Sequence, residues 1–298
     1  QGSVLGPLLF LIFINDITQV IQYCNIRLFA DDTCLFIEVN DRVETARHLE
    51  HDLSLIEHWA NNWLVSFSPQ KTKSLLVSNK KDAPLNPKIK FKGDYIEEVS
   101  NHKYLGLIFS KDLKWNIHID SICLKARKIL SIILPLKFKL DRKSLETIYS
   151  SFILPVMEYG HVVWGGSCDS HIEKLEKVHI DAMRLVTGAT SRSNIQKLYS
   201  ETGWLSIRSR IDNAIITLLF KIRNNQAPNY LSDLLPQGNA ESITYCLRNN
   251  ENIKMPFSKK ESFRRSFIPT AIRLWNKLDH TVRNSQTLYA FKLALRKE

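Results

Sequence analysis

At 298 residues, 44% hydrophobic and 24% charged, the chain has the makings of one large folded domain or two modest ones, which excludes a disordered or fibrous protein. Its five cysteines stand singly, at Cys24, Cys34, Cys123, Cys168 and Cys246, an odd number without C-x-x-C spacing, which argues against a disulfide scaffold or zinc knuckle and for a reducing compartment. The net charge of +11 is unevenly spread: residues 1–70 hold three basic and nine acidic side chains (−6), residues 71–298 hold 38 and 21 (+17). An acidic segment followed by a basic one suits a metal-binding part joined to a part that grips a polyanion. On charge alone, a basic but idle surface reads equally well.

Residues 4–14 form an apolar run of eleven, short of the ~20 needed to cross a membrane and lacking a signal peptide's basic leader. Pro7 suits a first helical turn. The expectation is a helix to about residue 22, buried in a larger domain whose beginning lies upstream of Gln1. Residues 26–30 and 33–39 read as two strands meeting at a two-residue turn formed by Asp31 and Asp32. Apolar steps of three and four through Val43, Ala46, Leu49, Leu53, Ile56, Ala60 and Trp63 predict an amphipathic helix. Strand-like runs follow at 73–78, 89–91, 95–99 and 104–109, with a turn at Lys92-Gly93-Asp94.

Beyond residue 112 the pattern is helical. Asp141 can cap a helix over 142–152; Ser170-x-x-Glu173 reads as a capping box for a helix stopping near Gly188; another helix is predicted over 206–224. Residues 226–239, with two prolines and a glycine, are the linker candidate, and a last helix begins near Pro269. In the basic run 259–267, Phe263 and Phe267 could stack on bases, though a solvated helix face is the plainer reading.

Asp31-Asp32 is the sharpest chemical feature. Two carboxylates make a poor hairpin turn, which prefers glycine second, and they repel unless a hard divalent cation lies between them and a phosphate. By itself an Asp-Asp pair is common at solvated turns. Its surroundings add more: Phe29-Ala30 stands before it, Gln1-Gly2-Ser3-Val4-Leu5-Gly6-Pro7 upstream, and Trp63-Leu64, Lys71-Thr72, Tyr104-Leu105-Gly106 and Trp115-x-x-His118 downstream. In this order the blocks resemble the consecutive palm motifs of non-LTR (LINE-type, jockey-like) retrotransposon reverse transcriptases, densely from Gln1 to Ile119. The run from Ile153 to Gly165 resembles, more loosely, the region after the polymerase core.

That resemblance implies an α+β fold: a partial reverse-transcriptase palm with an antiparallel sheet over 1–112, a mainly helical thumb and connection over 113–235, and a basic C-terminal extension over 236–298. It implies Mg²⁺ on Asp31 and Asp32, and Lys71 near the leaving phosphates. It places Gln1, Gly2, Ser3, Phe29 and Ala30 around template and nucleotide, and Tyr104, Leu105 and Gly106 at the primer end. The partners it implies are an RNA template, a DNA primer and deoxynucleoside triphosphates. It implies no membrane and an intracellular setting, nucleus or cytoplasm, and leaves the oligomeric state open. Ser68 departs from the family's usual Asn before Pro69-Gln70-Lys71-Thr72, and the third metal-binding aspartate and the fingers are missing. The chain alone is therefore expected to be inactive, and a non-catalytic nucleic-acid-binding remnant is the alternative.

Overall fold

A computed structural model describes residues 3–78, 87–236 and 252–296. The chain forms two compact units, residues 1–113 and 114–298. The first mixes helices with short ladders and the second is helical, an α+β composition.

In the first unit, α1 (Leu5–Asn15) runs into a 3₁₀ turn, Asp16–Gln19. The strands β1 (Asn25–Phe29) and β2 (Asp32–Phe36) form an antiparallel hairpin, and α2 (Arg42–Asn62) covers it. The α2 N-terminus is set by Asp41, whose side chain accepts the Glu44 N–H. Its inner stripe buries Ala46, Leu53, Ile56 and Ala60 as predicted, and also Trp59 and Asp52; Val43 and Trp63 stay exposed. Ile56, Trp59 and Ala60 pack with Ile14 and Ile17, against which Phe10, Phe13, Ile26, Leu28 and Leu35 also lean. Burial of each such side chain is worth about 1.5–3 kcal/mol.

Contrary to the expectation of a buried helix, α1 buries Ile14 alone, and Leu5, Leu8, Leu9, Leu11 and Ile12 are exposed. The helix is apolar round its whole circumference, while its packing partners meet only one side.

The remaining strands pair in separate two-stranded ladders, two antiparallel as predicted and one parallel. β3 (Lys73–Ser74) pairs in parallel with β6 (Glu97–Glu98); β4 (Lys90–Phe91) pairs with β5 (Asp94–Tyr95); β7 (Asn101–Tyr104) pairs with β8 (Leu107–Ser110). Lys92 and Gly93, at φ +52° and +82°, make the predicted turn between paired Phe91 and Asp94. Phe91 and Ile96 bury against Leu53 of α2. The run predicted as one strand over 104–109 instead holds the end of β7, a turn at Leu105 and Gly106, and the start of β8.

The second unit comprises α3 (Asn116–Ile133), α4 (Arg142–Ile148), α5 (Leu154–Glu158), α6 (His161–Trp164), α7 (Asp169–Thr187), α8 (Ile195–Thr202), α9 (Ile207–Arg223) and α10 (Asn229–Ser232). Near its end come α11 (Glu261–Arg264), α12 (Phe267–Trp275), α13 (His280–Arg283) and α14 (Leu288–Leu295). Helix α7 packs against α3, α4, α8 and α9, while α9 carries α12 and α14 on another face. Asp141 caps α4 through Ser144 N, and Gly188, left-handed at φ +72°, ends α7. The helix over 142–152 does not stop where predicted. It widens into a π turn over Tyr149–Ile153, where the Leu154 N–H reaches the Tyr149 carbonyl, ahead of Pro155, which has no N–H to donate. The proposed capping box is not one: α7 begins at Asp169 behind Cys168, so Ser170 already lies in the first turn, its hydroxyl 3.2 Å from the Cys168 thiol. In the linker candidate, α10 occupies part of 226–236, and 237–239 lie outside the described residues.

A buried polar knot ties this unit together. The Tyr149 hydroxyl lies 2.5 Å from Nδ1 of fully buried His179, and its ring stacks on Trp204 at 4.3 Å. Burial first, then the Arg210 charge, lowers the His179 pKa from 6.5 to about 4. A histidine that the fold keeps neutral contributes stability fully above about 6.5, and that stability drains as pH falls toward about 4. On the order of 3 kcal/mol is expected to be lost over this range. Urea melts between pH 4 and 7 should show this slope, and His179→Gln should flatten it. An unaltered slope in the variant would show that another group is responsible.

Candidate functional site

The β1–β2 register pairs Phe29 with Asp32 and Leu28 with Thr33, so the turn consists of Ala30 and Asp31. This corrects the expected Asp31-Asp32 turn: Asp32 is the first residue of β2. The cause is the core, because pairing Ile26 with Leu35 puts both on the buried face, and a one-residue slip would expose them. Ala30 takes up the left-handed position at φ +51°, where hairpin turns favour glycine. Phe29, Ala30, Asp31 and Asp32 are all exposed. Arg27 on the same hairpin is turned away from the aspartates, its guanidinium on the Ile26 carbonyl and 5.5 Å over the Phe36 ring at the opposite end. Among the described residues neither aspartate makes an ion pair.

The approach to this hairpin is fastened by a residue that the sequence reading passed over. Asp52 on α2 is fully buried and accepts N–H bonds from Gln22 at 3.2 Å, Tyr23 at 3.0 Å and Cys24 at 2.7 Å. Burial by itself would raise its carboxyl, but the three backbone donors outweigh it and hold the pKa below the ordinary value. The Cys24 thiol is pushed up to about 12 by burial and then by the Asp52 bond and charge. A signal existed: Asp52 stands three residues after Leu49 and four before Ile56, a carboxylate on the apolar stripe.

The β7–β8 hairpin closes on the pair Tyr104 and Leu107, with Leu105 at φ +46° and Gly106 at φ +82°. Two successive left-handed residues define a type I′ turn, for which glycine is suited. Tyr104 is half-buried, and its phenol is pushed above its ordinary value by burial first, then by the nearby negative charge of Cys34 and Asp32.

Lys71 is exposed beside a backbone-held turn: Thr72 donates its N–H to the Ser68 and Pro69 carbonyls at 3.1 Å and its hydroxyl to Ser68 at 2.8 Å. The Ser68 carbonyl accepts from Thr72, and the Ser68 hydroxyl donates to Gln70 Oε1 at 3.1 Å within the same turn. No hydrogen bond or ion pair among the described residues joins Lys71 to the aspartates. Ser3 is exposed ahead of α1, its hydroxyl accepting the Leu5 N–H, while Gln1 and Gly2 lie outside the described residues. Adjacent exposed carboxylates suit a hard cation, yet the described residues contain no group of three or more His, Cys, Asp or Glu able to hold one. No helix among the described residues is long and apolar enough to cross a membrane.

Residues 1–109 match the family described as reverse transcriptase (RNA-dependent DNA polymerase). The chain is 30% identical over 200 residues to a probable RNA-directed DNA polymerase from transposon X-element of Drosophila melanogaster. It is 29% identical to the one from transposon BS and 28% to the RNA-directed DNA polymerase from mobile element jockey of the same species. These matches cover 63% of this chain and 21%, 22% and 22% of the respective relatives, so the chain spans about a fifth of their length. No solved structure matches it.

Proposed function

We propose that the chain is the palm-to-thumb portion of an RNA-directed DNA polymerase of the jockey-like non-LTR retrotransposon kind, because residues 1–109 match the reverse transcriptase family and the chain is similar to such polymerases over 200 residues. Residues 1–112 are the partial palm, 113–235 the thumb and connection, and 236–298 a basic extension. What supports the reading is the family match over residues 1–109, which spans both the hairpin closed by Phe29 and Asp32 and the hairpin closed by Tyr104 and Leu107.

Asp31 and Asp32 would hold Mg²⁺, which when bound supplies activation of the primer 3′-hydroxyl and neutralises charge on the departing pyrophosphate. Lys71 offers a proton or a charge to the leaving phosphates. Ser3, with Gln1 and Gly2, together with Phe29 and Ala30, borders the template and the incoming deoxynucleoside triphosphate; Tyr104, Leu105 and Gly106 support the DNA primer on its RNA template. Among the described residues no third ligand joins the two carboxylates, fewer than a two-metal site uses, so primer extension by the 298-residue chain tested alone is expected to be nil.

In a polymerase carrying this segment with a complete palm, Asp31→Asn is expected to slow primer extension on RNA at least about 100-fold, about 2.7 kcal/mol. Extension at the unsubstituted rate would remove Asp31 from the chemistry. The second reading, a nucleic-acid-binding piece without catalysis, draws on the +17 balance of residues 71–298 and would show as salt-sensitive binding without synthesis.

A further inference from the structure

Residues 252–265 form a stretch of the second unit with both ends clamped. At one end the Ile253 N–H donates to the Asn276 side chain at 3.0 Å and its carbonyl accepts from the same amide at 2.9 Å, while Arg283 holds the Asn252 side chain at 2.8 Å. At the other end the Arg265 carbonyl accepts from the Thr270 hydroxyl at 3.2 Å and lies so close to Gly166 that a Cβ there would stand 1.9 Å from it.

Between the clamps most side chains face water, while Pro256 and Ser258 are partly buried. Phe257 is 84% exposed, and Phe263 is exposed as well. Lys254, Lys259, Lys260 and Arg264 are exposed beside them. The carboxylate of the stretch, Glu261, is occupied by Arg265 at 2.8 Å and Arg264 at 3.5 Å, and Arg273 of α12 adds its charge to the same group. The fold thus fastens the backbone at both ends and leaves the rings of Phe257 and Phe263 exposed beside Lys254, Lys259 and Lys260.

Cations interleaved with free aromatic rings match a chain that carries a phosphate at each step and bases with open faces. A duplex hides those faces in its own stack, so the match is to a single strand. We propose that residues 254–265, with Arg273, form a single-stranded nucleic-acid contact separate from the aspartate hairpin, in which Phe257 and Phe263 stack on bases and the lysines and Arg264 meet phosphates. Phe263 was legible in the sequence as a stacking candidate. Phe267 leaves the set, since it is only partly exposed at the start of α12, and Phe257 replaces it.

The test is fluorescence anisotropy of the full chain with a short labelled oligouridylate, across a salt series. Phe257→Ala should weaken binding roughly five- to a hundredfold at fixed salt and leave the salt slope unchanged. The double variant Lys259→Gln, Lys260→Gln should lower the slope of log K against log salt by about 1.4. Both positions are exposed, and a thermal melt of each variant confirms that it folds. Equal affinity for a duplex with no effect of Phe257→Ala, or variants that bind as the unsubstituted chain does, would overturn the proposal. Asp31→Asn should leave this binding untouched, so a failed catalytic assignment and a failed contact surface are separately visible.

Discussion

Asp52→Ala is expected to remove about 3 kcal/mol or more of stability, because it takes away the charged acceptor of three part-buried backbone N–H groups, at about 1–3 kcal/mol each. Urea unfolding at pH 7 measures it directly. Asp52→Asn should fall between the two, since its amide retains one oxygen and presents an N–H₂ to donors. The pH dependence has a definite sign. The folded carboxyl sits below its ordinary value, so its contribution is complete above the unfolded pKa and drains as the pH falls through the folded one. That window lies under the one in which His179 acts, and the two residues belong to different units. A variant as stable as the unsubstituted chain would mean that water satisfies those three donors and that Asp52 fastens nothing.

Gly166→Ala is expected to be the most damaging single methyl in the second unit. The added carbon would stand 1.9 Å from a backbone oxygen of Arg265, and a backbone cannot swing aside as a flexible side chain can. Overpacking typically costs 1–3 kcal/mol and occasionally more; here about 3 kcal/mol is expected, a drop in Tm of roughly 6–12 °C for a unit of this size. Gly188→Ala is the control. It meets nothing within 4 Å, but its φ of +72° costs an L-residue only about 1–2 kcal/mol. If Gly166→Ala melts higher than Gly188→Ala, the close approach of residue 166 to Arg265 is not what holds the 252–265 stretch.

How much of this was legible beforehand depended on how local its cause is. Asp141 before α4 and Gly188 after α7 act within a few residues, and each stands where its side chain or lack of one predicted. The 3.6-residue period located α2, yet could not show that Asp52 belongs inside, because its justification is three N–H groups about thirty residues away. The turn at Ala30-Asp31 was misplaced by one residue for a related reason: register obeys the pairing of Ile26 with Leu35, which turn propensities do not see. Residues 104–109 look like one strand because β-branched and aromatic side chains dominate there, while Leu105 and Gly106 bend the chain back. Of the candidate site, the family motifs pointed to both hairpins; the register of each emerged only from the fold. Phe257 escaped notice because exposure is a property of packing, not of composition.

Ala30, left-handed at φ +51° on the tip of the aspartate hairpin, narrows what mutation can do there. Side chains branched at Cβ are genuine outliers in that region of backbone space, whereas glycine, asparagine and aspartate enter it most readily. Valine or isoleucine at position 30 would therefore be rejected by the turn before any effect on metal or nucleotide could be felt. The residue preceding the two carboxylates is a bottleneck for variation, imposed by backbone handedness and not by chemistry.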